Sequence, residues 1–186
     1  MKRLKKIRVG IEKVNKVYHI ADVHIRNLKR HKEYRDVFSH LYGYILSTME
    51  ENDIIYIAGD IVHAKTDMSP EVVDLTQEFF TRLADLLPTI VIPGNHDANL
   101  NNTSRLDALS PIVKALGHPN LFYLKDTGAW SLGNMTIVHQ SVWDKSPGFP
   151  PAVDYKGDVK VGVFHGPVDK IETEHGFAIE NKNINV

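Results

Sequence analysis

The sequence predicts an α/β domain built on parallel strands, and three observations carry that prediction. Short apolar runs of strand length stop abruptly in polar residues near positions 22, 60 and 95. Stretches with apolar residues at helical spacing lie between those runs. The 186 residues, 42% apolar and 24% charged, suffice for one domain with a sizeable core. A strand–helix–strand–helix–strand order implies crossover helices over a parallel sheet.

The run "VYHIA" (17–21) ends at Asp22 and forms the first buried strand. Residues 33–51 then place Tyr34, Val37, Phe38, Leu41, Ile45 and Thr48 on one helical face. "DIIYIA" (53–58) is the second strand, stopped by Gly59 and Asp60. In "SPEVVDLTQEFFTRLADLLP", Ser69 is placed to cap a helix and Pro70 to open it. Val72, Thr76, Phe79, Leu83 and Leu86 mark its inner face, and Pro88 closes it. "TIVIP" (89–93) is the third strand. "RLDALSPIVKALG" (105–117) reads as one helix broken near Pro111. "NLFYL", "AWSL" and "MTIVHQSVW", with Gly and Asn turns between them, predict antiparallel hairpins. The proline-rich stretch 146–158 reads as a loop, and "VKVGVFHG" (159–166) as a strand that again ends in polar residues. From Lys170 onward no period is visible.

Cysteine is absent, which excludes disulfides and thiolate metal sites. No apolar run approaches membrane-spanning length, and the basic start lacks the apolar stretch of a secretory signal. The expectation is an intracellular protein, cytoplasmic or at the nucleoid or nucleus, neither secreted nor in a membrane. A net charge of −1 argues against a uniformly basic nucleic-acid binder. The charge is uneven, however: residues 1–35 carry +9 and residues 36–186 carry −10. A basic edge that meets phosphates and a solvated tail with a helix face explain this equally well.

Four apolar runs deliver polar groups at their ends: Asp22 and His24, then Asp60, then Asn95, His96 and Asp97, then His165. In a parallel sheet the carboxyl ends of the strands share one edge, so Asp22, His24, Asp60, Asn95 and His165 can converge there. Carboxylates, imidazoles and an amide oxygen make an N/O site for divalent ions. Asp60 could bridge two ions about 3.5–4 Å apart. Gly59 and Gly94 precede ligands, where a side chain would obstruct the turn. His96 could face substrate, with Asp97 orienting it. His139 and His19 read as structural, and Trp130 and Trp143 as packing residues.

The ordered set D-V-H (22–24), G-D (59–60) and G-N-H-D (94–97) resembles the calcineurin-like metallophosphoesterases. "HIADVHIRNLKRHKEYRDVF" and "IIYIAGDIVHAKTDMSPE" are similar to SbcD-type nucleases, the catalytic subunits of double-strand-break repair complexes. The resemblance implies an α/β/β/α sandwich of mixed sheets, incomplete at its C-terminal side. It divides the chain into a basic segment, 1–16, and a phosphoesterase domain, 17–186, that stops before a final G-H-x-H-like motif. "EHGFA" offers one histidine at the wrong spacing for that motif. The chain is therefore expected to be an N-terminal portion of a longer protein, with poor metal affinity of its own.

Residue by residue, the resemblance implies that Asp22 and His24 bind one ion, Asp60 bridges, and Asn95 and His165 bind the second. His96 would protonate the leaving sugar oxygen, and His63 would place the scissile phosphate. Manganese is the implied ion; zinc, iron or magnesium also suit these donors to differing degrees. Arg26, Lys29, Arg30, His31 and Lys32 are candidate phosphate contacts. The implied function is metal-dependent hydrolysis of DNA, with DNA, an SbcC-type SMC-like ATPase and a second copy of the chain as partners. A small-substrate phosphoesterase (phosphomonoester or cyclic nucleotide) and a non-catalytic scaffold are the alternatives.

Overall fold

The computed structural model describes residues 4–145, 151, 155–166, 171–172 and 178–179. The elements run β1 (Lys5–Lys6), β2 (Val17–Ile20), α1 (His31–Thr48), β3 (Ile54–Ile57), α2 (Pro70–Leu86), β4 (Thr89–Val91) and α3 (Leu109–Leu116). They continue as β5 (Leu121–Tyr123), β6 (Gly128–Leu132), β7 (Met135–His139), β8 (Val159–Val163), β9 (Ile171–Glu172) and β10 (Ala178–Ile179). β2, β3, β4 and β5 form one all-parallel sheet in that order. A second sheet has the order β1-β6-β7-β8 and is mixed: only β6 and β7 pair antiparallel. β9 and β10 make a separate antiparallel pair.

The period-2 alternation of β3 and β4 builds the layers. Ile55, Ile57 and Val91 face the helices and join Phe38, Ile45, Leu75, Phe79, Leu83 and Ile112 in one core. Ile54 and Ile90 point the other way and meet Trp130, Leu132, Met135, Ile137 and Val163 of the second sheet. Helices, parallel sheet and mixed sheet thus stack as α/β/β: the expected two-sheet α/β sandwich, with one sheet all-parallel and the other mixed. Among the described residues no helix covers the far face of the mixed sheet.

Several local expectations shift. α1 begins two residues earlier than predicted and stops at Thr48, because the Asp53 carboxylate accepts the Glu50 amide (2.9 Å) and Asn52 turns left-handed. α2 starts as read, with the Ser69 hydroxyl accepting the Val72 amide and Pro70 in its first turn. The third helix does not break at Pro111. It starts at Leu109, where Asp107 accepts the amides of Leu109 (2.9 Å) and Ser110 (2.6 Å), so Pro111 falls in the first turn, where its missing N–H costs nothing. "NLFYL" gives β5, which pairs parallel with β4 and is no part of a hairpin. Residues 1–16, read as a segment ahead of the domain, supply β1 and the buried Ile7 of the inter-sheet core. Positions 146–150 and 152–154 of the expected proline-rich loop, and His175 of "EHGFA", lie outside the described residues. No helix of the described residues is long and apolar enough to cross a membrane.

His139 is fully buried on β7; its Nδ1 donates to the Asp126 carbonyl (3.1 Å) and its Nε2 has no partner. Burial pushes this imidazole down to about 4, with the carbonyl pulling weakly upward. The unfolded chain takes up that proton near pH 6.5, so stability is full above pH 6.5 and falls as pH drops toward 4. The linkage predicts a loss of roughly 2–3 kcal/mol at pH 4.5 from this group alone. Urea midpoints at pH 7 and 4.5 should differ clearly less in His139→Asn, whose amide can replace the Nδ1 donor. An equal acid sensitivity in the variant would rule the assignment out.

Candidate functional site

Each candidate ligand follows the carboxyl end of a strand. β2 delivers Asp22 and His24, β3 delivers Asp60, β4 delivers Asn95 and His96, and β8 delivers His165. The first three strands share the parallel sheet, but β8 belongs to the facing sheet. The residues therefore converge from two sheets across the sandwich, not along one sheet edge as the sequence suggested.

The backbone turns sharply to aim them. Asp22 (φ 55°), His24 (φ 49°) and Asp60 (φ 54°) all adopt the left-handed conformation, which costs an ordinary residue about 1 kcal/mol or more. Cross-loop bonds offset that cost. The Asp22 amide reaches the Gly59 carbonyl (3.2 Å), the His24 amide the Asp60 carbonyl (2.9 Å), and the His63 amide the Ile25 carbonyl (2.9 Å). Two glycines allow the loops to touch. A Cβ on Gly59 (φ 92°) would stand 2.7 Å from both the Gly94 nitrogen and His165 Nδ1, and one on Gly94 would run into the Asp60 carboxylate.

Asp60 is the hub. Its Oδ2 lies 3.3 Å from His165 Nε2 and 3.6 Å from His24 Nε2, while its Oδ1 accepts the His96 amide at 2.8 Å. Asp22 Oδ1 is 3.9 Å from His24 Nε2, and Asn95 Oδ1 is 3.2 Å from His165 Nε2. His165 turns its Nδ1 to the Ala58 carbonyl (2.5 Å), which leaves Nε2 facing the carboxylates. Burial pushes the Asp60 carboxyl up, but His165 and the His96 amide outweigh it and hold it below the usual range. Burial likewise opposes charge on His165, and Asp60 and the Ala58 carbonyl hold it above its ordinary value.

These donors fit divalent ions. One oxygen of Asp60 lies between two imidazoles, as a bridging ligand must. A histidine whose far nitrogen is fixed by a backbone carbonyl is the usual form of a metal ligand. Asp22, Asp60 and His165 can bring one ligand atom each within 4.8 Å of one another, and so can His24, His63 and His96. The latter three rings pack at centroid distances of 4.7 Å (His24–His96), 5.5 Å (His63–His96) and 5.6 Å (His24–His63). A cleft of about 750 Å³ runs from the site between the sheets, past Tyr56, Ile137 and Val161.

The family model of calcineurin-like phosphoesterases matches residues 15–183. This chain belongs to that family. Metal-dependent hydrolysis of phosphoesters is the chemistry of that family, and two groups of side chains here could hold divalent ions. The phosphoesterase is 40% identical, over 185 residues, to "Uncharacterized protein R555" of Acanthamoeba polyphaga mimivirus. That match covers 90% of this chain and 13% of the mimivirus protein, so the chain spans a small part of its relative's length. A solved protein of unknown function, AQ665 from Aquifex aeolicus, is similar at 16% identity with a TM-score of 0.35, over 67% of this chain and 61% of that one.

Within the phosphoesterase, three expected roles change. Asp97 does not touch the His96 ring. It is wholly buried and accepts the amides of Ile61 (3.0 Å), Val62 (3.0 Å) and Gly94 (2.9 Å), stapling the β3 and β4 loops together. His96 is oriented instead by the His63 carbonyl, 2.6 Å from its Nδ1. His31 turns its Nε2 to the Arg26 carbonyl (2.8 Å) and so braces the loop ahead of α1. Arg26, Lys29 and Arg30 are exposed on that loop, with Arg30 Nε 3.6 Å from Glu33. His19 is exposed on the cleft wall against Tyr56, at 5.5 Å between rings, and does not pack as a core residue. Sequence reasoning missed Lys65, whose ammonium donates to the Asn95 carbonyl (3.2 Å); its one signal was its place two residues after His63.

Removing the Asp97 carboxylate would orphan three buried amides, so Asp97→Ala should cost about 2–4 kcal/mol in urea unfolding. Asp97→Asn keeps one acceptor oxygen and should cost less. Equal midpoints for wild type and Asp97→Ala would show that the staple carries no weight.

Proposed function

We propose that this chain is the nuclease portion of an SbcD-type protein, hydrolysing phosphodiesters near DNA ends. The observation that carries the proposal is the braced loop from Ile25 to Arg30. It begins one residue after His24 and exposes Arg26, Lys29 and Arg30, while Lys65 adds a cation beside Asn95. Exposed Leu28, held left-handed at φ 51°, stands among these cations. Cations with an apolar tip suit a phosphate backbone and a base step better than a small soluble ester.

Asp22, His24, Asp60, Asn95 and His165 would hold the divalent ions, which when bound supply positive charge to the phosphoryl group and a more acidic water. His96 supplies the proton. Its Nδ1–H donates to the His63 carbonyl, which fixes the ring plane and leaves Nε2, carrying the second proton of the imidazolium form, to protonate the departing sugar oxygen. Arg26 and Lys29 hold the strand, and His63 stacks on His96. In this reading the partners are DNA, an SbcC-type SMC-like ATPase and a second copy of the chain, and manganese is the working ion. A small-substrate phosphoesterase is the second reading, favoured by the apolar cleft that opens on the site.

Two measurements separate the readings. His96→Ala should lower kcat on duplex DNA by about 10²–10⁴ with unchanged manganese content. It should spare bis-p-nitrophenyl phosphate, whose leaving group needs no proton; loss of metal instead would reassign His96. Arg26→Ala/Lys29→Ala should weaken DNA binding and flatten its salt dependence by about 1–2 in log–log slope, without touching the small ester. A parallel loss on both substrates would favour the small-substrate enzyme.

A further inference from the structure

We infer that His24, His63 and His96 form a nitrogen-only site that captures a borderline cation, Zn²⁺ above all, and thereby locks the phosphoesterase. The capture needs only the three imidazoles; its effect on turnover rests on the proposed role of His96.

Three imidazoles meet here with no carboxylate in the set. The ligand atoms lie within 4.8 Å of one another. A tetrahedral zinc with nitrogen ligands at about 2.0–2.1 Å needs them about 3.3 Å apart, a contraction that side-chain rotation can supply. The nitrogens are available. His96 commits only Nδ1, to the His63 carbonyl. The Nδ1 atoms of His24 and His63 are buried without a hydrogen-bond partner. An orphaned buried nitrogen carries a desolvation penalty that a cation would remove.

Ligand type then separates two cation classes within one pocket. Asp22, Asp60, Asn95 and His165 are mostly oxygen donors and suit Mn²⁺ or Mg²⁺; three imidazoles suit Zn²⁺, Ni²⁺ or Cu²⁺. Capture also blocks turnover. It engages the His24 ring and occupies the His96 nitrogen that delivers the proton. A zinc ion so placed removes the acid. No bond is made or broken in this step beyond metal–nitrogen coordination.

The test is calorimetric titration of the purified chain with Zn²⁺ in excess Mg²⁺, joined to imidazole ¹H–¹⁵N spectra. One equivalent of zinc should bind, shifting the resonances of His24, His63 and His96 and sparing that of His139. His63→Gln should weaken this zinc at least tenfold, and Asp22→Asn should leave it within about threefold. Zinc binding that is lost in Asp22→Asn and unchanged in His63→Gln would overturn the inference, because the ion would then sit among the carboxylates. Those outcomes are read without turnover, so a chain inactive on every phosphoester would sink the hydrolase reading and leave the site standing. Circular dichroism of each variant confirms that the fold is retained.

Discussion

The site depends on one buried carboxylate that does no chemistry. Asp97 has no solvent exposure, and the amides of Ile61, Val62 and Gly94 converge on its two oxygens. Burial pushes it up to about 6 against the pull of those three donors. This bond set ties the turn after Asp60 to the turn that carries Asn95 and His96. Asp60 in turn accepts the His96 amide, which orients its other oxygen toward His24 and His165. The hub's direction is thus set by backbone donors, and those are set by Asp97.

A second constraint is proximity. The loops after β3 and β4 approach so closely that neither Gly59 nor Gly94 has room for a Cβ. Parallel pairing alone cannot deliver this, because strands lie about 4.8 Å apart and side chains stand out between them. The left-handed turns at Asp22, His24 and Asp60 supply the remaining displacement, folding three ligands inward over the strand ends. The strain is local, and the continued β2–β3 pairing through Ile25 and Val62 holds it in place.

Much of this was legible in the sequence, because the signals were local. Apolar runs stopped by Gly-Asp and Gly-Asn-His-Asp marked both the strands and their ligands. Ser69 and Pro70 marked a helix start through cap chemistry that needs no tertiary context. What failed was non-local. β8 has the same apolar-then-polar pattern as β4, so nothing in its residues says that it joins the other sheet. β5 could pair either way until the layers were known. The role of Asp97 was hidden because its partners, the amides of Ile61 and Val62, carry no side-chain signature. A carboxylate beside a working histidine suggests a dyad; burial made it a staple instead.

The charge asymmetry resolves in the same structural terms. Of the cations in the first 35 residues, Lys5 and Lys6 lie on β1. That strand is three places from β8 in the mixed sheet, so about 14 Å separates it from the strand that delivers His165. At physiological salt charges screen over about 8 Å, so these lysines exert little field at the site. Arg35 is held by Asp74 (2.9 Å) and Glu78 (3.3 Å) on α2. Arg26 differs: it lies close enough to His63 to help depress that imidazole, after burial the largest cause. The same placement that lowers this pKa leaves the exposed Arg26 as a fixed positive charge beside the histidines. The basic bias of the first 35 residues therefore reaches the histidines through the loop that carries Arg26 and not through β1.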